Sequence, residues 1–263
     1  MKKNLKFILL LLKLKLSRMM VFRLSFFGAF FADGMLFVMQ VLTFSLIYGQ
    51  IDSIGDWGRG QMLIFIGTFS MINGLNMMIY FFGVLTIPGL IREGGLDHYI
   101  TKPVNPLLRL TFENMNPGSA PLMILSVMII AYGLNVGGYA VSFPMLAGYA
   151  ALVLLMTLLW YDMEVILRTI PFFVISASAI ERLEGEMIGL NFKIPGVLYK
   201  GAFKILFYFI FPYGIMATVP TQFITDTLTV GGLFSATATV LCFTAFTLWF
   251  WKLGLKNYKS ASS

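Results

Sequence analysis

Six stretches of this chain are apolar for about the 20 residues that a helix needs to cross the hydrocarbon core of a bilayer. They are Ser25–Tyr48, Gln61–Leu85, Ser119–Leu134, Ser142–Tyr161, Ile205–Ile224 and Gly231–Trp251. Nothing constrains the fold more. In lipid every backbone N–H and C=O must be satisfied within the protein, so such stretches fold as helices. The predicted class is an all-α integral membrane protein with six transmembrane helices over residues 25–251. Composition agrees. Only 12% of the 263 residues are charged and 58% are hydrophobic, where a soluble domain carries roughly a quarter charged residues. A seventh apolar run, Val165–Ile180, contains Arg168 and Pro171 and leads into the acidic Glu181–Glu186. It reads as interfacial or buried, which makes residues 162–204 an interfacial segment.

The net charge of +7 is concentrated where it orients the spans. Lys2, Lys3, Lys6, Lys13, Lys15, Arg18 and Arg23 crowd one end of the sequence, and Lys252, Lys256 and Lys259 the other. Cations flanking apolar runs mark the cytoplasmic side. Both termini, the 86–118 connection and the 162–204 segment are therefore expected in the cytoplasm, with the chain multi-pass in the cell membrane. Residues 1–24 read as a retained amphipathic helix lying on the membrane surface, and residues 252–263 as a cytoplasmic tail. No base-stacking motif accompanies the charge, so nucleic acid is not an expected partner. Trp57 reads as an interface anchor, and the lone cysteine, Cys242, as a small buried hydrophobe.

The chain lacks a GxxxxGK[ST] phosphate loop, HExxH, CxxC and GxSxG. No ATP, metal or catalytic site is predicted in it. Within the spans, Asp33, Asn73 and Asn76 are the candidate pathway residues, since an intramembrane polar group costs free energy unless it is used or paired. Gly67, Ser70 and Gly74 give the second span a small-residue face for close helix packing. Pro212 and Pro220, followed by Gln222 and Asp226, predict that residues 212–230 unwind or re-enter at the outer side.

One polar island interrupts the apolar chain, LIREGGLDHYITKPVNPLLRL at Leu90–Leu110. Pro88 and Gly89 are expected to break the second span. Leu90–Ile100 is expected to form a short helix with Ile91, Leu96 and Tyr99 on one side and Arg92, Glu93, Asp97 and His98 on the other. Pro103 and Pro106 fix the turn that follows. His98 has no partner set for catalysis. A short surface helix tied to a span suits transmission of a push from a soluble partner.

The order of Arg92, Gly94, Leu96, Asp97, Lys102, Pro103, Val104 and Pro106 resembles the motif after the second span of ABC-2-type permeases. These are the membrane subunits of ATP-binding-cassette exporters, here the single-chain six-span branch. Pro195, Pro212, Val219 and Pro220 resemble a second motif of that branch, with Ile194 in place of its usual Tyr. The resemblance implies a type V exporter-like architecture and a core of two permease subunits, identical or sister proteins. It also implies two ABC ATPase subunits that bind ATP and Mg, and a coupling helix after the second span that docks on them. Arg92, Glu93, Gly94, Leu96, Asp97, His98, Lys102, Pro103 and Pro106 are the expected coupling residues. Pro212, Pro220, Gln222 and Asp226 are expected near a re-entrant exit segment. An ATP-independent secondary transporter or channel remains the alternative, and a membrane enzyme or scaffold a third reading.

Overall fold

The computed structural model describes residues 34, 35, 38, 39, 41–174 and 178–258. The expected surface helix at 1–24, Asp33 and half of the first span lie outside these residues. Residues 41–47 are helical. The helices that follow are α1 (Arg59–Ile79), α2 (Phe81–Val84), α3 (Ile87–Arg92), α4 (Asp97–Ile100), α5 (Pro106–Glu113), α6 (Ala120–Gly137) and α7 (Phe143–Thr169). After them come α8 (Ser178–Lys193), α9 (Gly201–Ile205), α10 (Tyr213–Met216), α11 (Thr218–Ile224) and α12 (Val230–Asn257). Among the described residues four helices are long and apolar enough to cross a membrane, or five if a bent pair counts as one.

The tightest contact is between α1 and α6, and glycine makes it possible. Gly60, Gly67 and Gly74 recur every seven residues, a spacing that keeps them on one face. A Cβ at Gly60 would lie 2.6 Å from the Gly137 Cα, and one at Gly67 would lie 3.0 Å from the Ser126 carbonyl oxygen. At Gly133, across the seam, a Cβ would lie 3.0 Å from the Gly60 carbonyl. The backbones touch, so dispersion and close packing hold the pair where lipid supplies no hydrophobic drive. Gly60→Val is expected to force the seam apart, giving faster amide exchange at residues 126–137 in detergent. Unchanged exchange there would argue against backbone contact.

Burial places α1 at the centre. Of its membrane window 72% is buried, against 22% for the span containing α6 and 17% for α12. Phe65, Phe69, Met156, Trp160, Tyr213 and Met216 fill the core. The buried Thr68 hydroxyl bonds the Ile64 carbonyl (2.6 Å) and meets the Tyr149 hydroxyl (2.7 Å). Trp57 is 3% exposed and packs edge-on against Phe65, so it belongs to this core and not to the interface. Cys242 is exposed on α12, contrary to the buried position expected.

The sequence expectation for residues 162–204 is corrected. α7 does not stop at Tyr161 but runs unbroken for 27 residues to Thr169, about 40 Å of helix. Pro171 then ends it, within a 3₁₀ turn at Ile170–Phe172. The chain that follows is not confined to one surface. Glu184 meets Arg168 at the end of α7, Phe192 packs on Phe69 in mid-bundle, and Leu198 touches Gly55 ahead of α1. Ser178 to Leu198 thus climbs from one end of the bundle to the other.

The fifth apolar run, Ile205–Ile224, where residues 212–230 are expected to unwind or re-enter, is bent within its length. Gly201–Ile210 and Tyr213–Ile224 meet at 81°. A π-helical turn over Leu206–Ile210 and then Pro212 make the bend. Gly196 abuts the Gly214 carbonyl, and its N–H donates to Thr218 Oγ1 (2.9 Å). Tyr213 at the vertex reaches inward to Trp160 and Glu184, and Phe223 returns to pack on Gly148. Both arms of this V therefore open toward the end of the bundle where Gly55 and Gly137 lie.

Candidate functional site

Residues 80–116 form a folded platform at the opposite end of the bundle. Pro88 does not break a helix. It occupies the first turn of α3, where its missing N–H would be unpaired anyway. The single short helix expected across Leu90–Ile100 is two pieces, cut at Gly94, whose φ of +72° suits glycine. Asn105 caps α5 by accepting from Leu107 N (2.9 Å) and Leu108 N (3.3 Å), with Pro106 in the first helical position. The Asn116 N–H donates to the Met78 carbonyl (2.9 Å), which ties the platform's exit to the end of α1.

A second apolar cluster lies beneath it. Tyr80, Val84, Ile87, Leu96, Leu107 and Leu110 pack with Val165 of α7 and Trp251 of α12. Leu96 is fully buried there. It anchors the platform from inside and offers no surface to another molecule, unlike the docking role expected of it. Gly83 lies directly against the Leu110 carbonyl. Thr111 and Tyr161 join hydroxyls at 2.8 Å, and Arg109 both pairs with Glu113 (3.1 Å) and covers the Tyr99 ring (4.6 Å).

The outward face carries Arg92, Glu93, His98, Lys102 and Pro103, all exposed, with Gly94, Asp97 and Pro106 half-buried among them. Burial and then the adjacent Asp97 carboxylate raise the Tyr258 phenol above its usual range. Asp97 thus already engages the segment after α12, whereas Arg92, Glu93 and His98 stand on the open face.

The remaining sequence candidates do not gather at this platform. Asn76 is buried and its Oδ1 has no hydrogen-bond partner, while Asn73 is half-buried. Pro212 sits at the vertex of the V, and Pro220 lies in the first turn of α11. The Gln222 carbonyl accepts from Thr227 N (2.8 Å) and Leu228 N (3.1 Å). Asp226, with φ +55°, lines a cavity of about 560 Å³ with Ala140, Pro144, Met145 and Phe223 at the far end.

One constellation was not anticipated from the sequence. Arg168 Nη1 lies 2.7 Å from both Glu164 Oε2 and Glu184 Oε2, and the three residues are 4%, 1% and 4% exposed. Trp160 Nε1 donates to Glu164 (3.2 Å), and the Tyr213 hydroxyl donates to Glu184 (3.2 Å). The four-residue steps from Trp160 to Glu164 to Arg168 are legible in the sequence as one helical face. Their partner Glu184 is not, because the acidic run at 181–186 reads as surface charge. A nearby buried carboxylate, Asp162, is satisfied separately by Thr244 of α12 (2.5 Å).

A family model described as ABC-2 family transporter protein matches residues 35–262. No curated protein and no solved structure matches the chain.

Proposed function

Because the chain belongs to the ABC-2 transporter family, a family whose membrane subunits partner with ABC ATPases, we propose that it is the permease subunit of an ABC exporter in the cell membrane. ATP and Mg are bound and hydrolysed on two separate ATPase subunits. A second permease, identical or a sister protein, completes the transmembrane core. The platform end of the bundle faces the cytoplasm, as do both termini, and the open end of the V faces outward.

The observation that supports this reading most is the build of the 80–116 platform. Its outer face is polar and exposed, while its inner face is a packed apolar cluster shared with α7 and α12. A push on Arg92, Glu93 or His98 is borne by a folded body, not absorbed by a slack loop. Glu93 and Arg92 are the charges placed to meet a soluble partner, with Lys102 and Pro103 at the rim.

Purification of the tagged chain in mild detergent, with mass spectrometry and an ATPase assay, tests the reading. A soluble ATPase is expected to co-purify. Reversing Arg92→Glu together with Glu93→Arg is expected to weaken its retention about tenfold, equivalent to about 1.4 kcal/mol, at unchanged membrane abundance. Transport by the isolated chain in proteoliposomes without ATP would instead support the secondary transporter.

A further inference from the structure

The buried ionic cluster lies away from the exposed face of the platform, and it joins three elements. Glu164 and Arg168 belong to α7, Glu184 to α8, and Tyr213 to the vertex of the V. Val165, within the same turn of α7 as Glu164 and Arg168, is fully buried in the apolar cluster beneath the platform, together with Leu96 and Ile87. One helical turn therefore presents one side to the platform and another to the vertex of the V.

We propose that Arg168, Glu184 and Tyr213 are positioning residues that hold the vertex of the V in register with the platform, so that displacement of one moves the other. The proposal rests on the ATP-coupled reading above. Its physical basis is bistability. A buried guanidinium shared by two carboxylates tolerates discrete arrangements, not a continuum, because each buried charge needs a partner at contact distance. If the platform shifts α7, Arg168 keeps its partners only when Glu184 follows, and Glu184 carries the Tyr213 hydroxyl with it. The ionic cluster itself reaches the V through one O–H···O bond of 3.2 Å, beside the edge-on contact of Tyr213 with Trp160. Removing that hydroxyl loosens the vertex while the ring keeps its place in the core.

The test uses the co-purified permease–ATPase complex in nanodiscs. Cys242→Ala removes the exposed thiol of α12, and Phe209→Cys places a reporter on the first arm of the V, where Phe209 is 53% exposed. Labelling by a soluble maleimide is measured with and without ATP, beside the ATPase rate. In the parent, ATP is expected to change the labelling rate about threefold or more, as a population shift between two states would. In Tyr213→Phe and in Glu184→Gln the ATP-dependent change is expected to fall below about twofold while the ATPase rate stays within about twofold of the parent. The exchange of Arg168→Glu with Glu184→Arg keeps an ion pair between α7 and α8 but removes the acceptor of the Tyr213 hydroxyl, and is expected to leave the response lost. A full ATP-dependent change in Tyr213→Phe overturns the proposal, as does a parallel fall in ATPase rate, which would assign these residues to the integrity of the whole complex and not to the register of the vertex. A parent with no ATP response overturns the ATP-coupled reading itself, and the inference falls with it.

Discussion

Arg168→Leu is expected to destabilise the protein by about 3–5 kcal/mol, the cost of leaving buried charge without its partner. The substitution fits the volume and suits a helix, so packing and propensity do not account for the loss. It strands Glu164 and Glu184, which are 1% and 4% exposed and held by the same guanidinium. Two carboxylates that close cannot both stay ionised without water or a cation. The thermal midpoint in detergent should fall by roughly 10 °C, followed by the fluorescence of Trp160, which donates to Glu164. Adding Glu164→Gln and Glu184→Gln removes the stranded charges and should recover most of the loss, since apolar or neutral replacements of a buried triad are often tolerated. An Arg168→Leu midpoint equal to the parent's would show that the cluster is hydrated and contributes little.

Gly83→Ala is expected to destabilise the platform by a steric route. A Cβ there runs into the Leu110 carbonyl, with the Thr111 carbonyl 3.4 Å away. Both obstacles are backbone, so no side chain can turn aside. Alanine gains about 1 kcal/mol over glycine in a helix, but overpacking costs about 1–3 kcal/mol and more where backbone must move. The net effect is separation of α2 from α5, which lifts the inner face of the platform from its cluster. Amide exchange should quicken over residues 80–113 while the α1–α6 seam keeps its protection, and retention of the ATPase should fall at least about tenfold. Equal exchange across residues 80–113 in the two proteins would falsify the contact.

Much of the fold was legible because lipid leaves few choices. The apolar runs that became α1, α6, α7 and α12 could be nothing but helices, and the seam of Gly67 and Gly74 was readable from its spacing. What escaped the sequence is the polar content of the helices. Arg168 and Pro171 made the run after Tyr161 read as a separate interfacial or buried helix, because hydropathy counts each charge as solvated. The acidic run at 181–186 hid the climb of Ser178–Leu198 for the same reason. Each charge penalises a span when taken alone, and only the pairing of Arg168 with Glu184, 16 residues apart, cancels it. Pro212 announced a bend, but its direction depends on Gly196 meeting Gly214, a contact without a local signature. At the platform the polar face was readable. The burial of Leu96 and the cut at Gly94 were not, because both follow from the chain folding back on α7.

The glycine seam between α1 and α6 has a mechanical consequence. The platform is strung between the ends of these two rods, which share backbone contacts at Gly60, Gly67 and Gly133 and close on a single side chain, Met123, at Gly74. A load applied at the platform finds little compliance at its root. The two rods and the segment between them behave as one crank with no backlash, so whatever stroke a partner delivers there is spent on the joint with α7 and on the members beyond it.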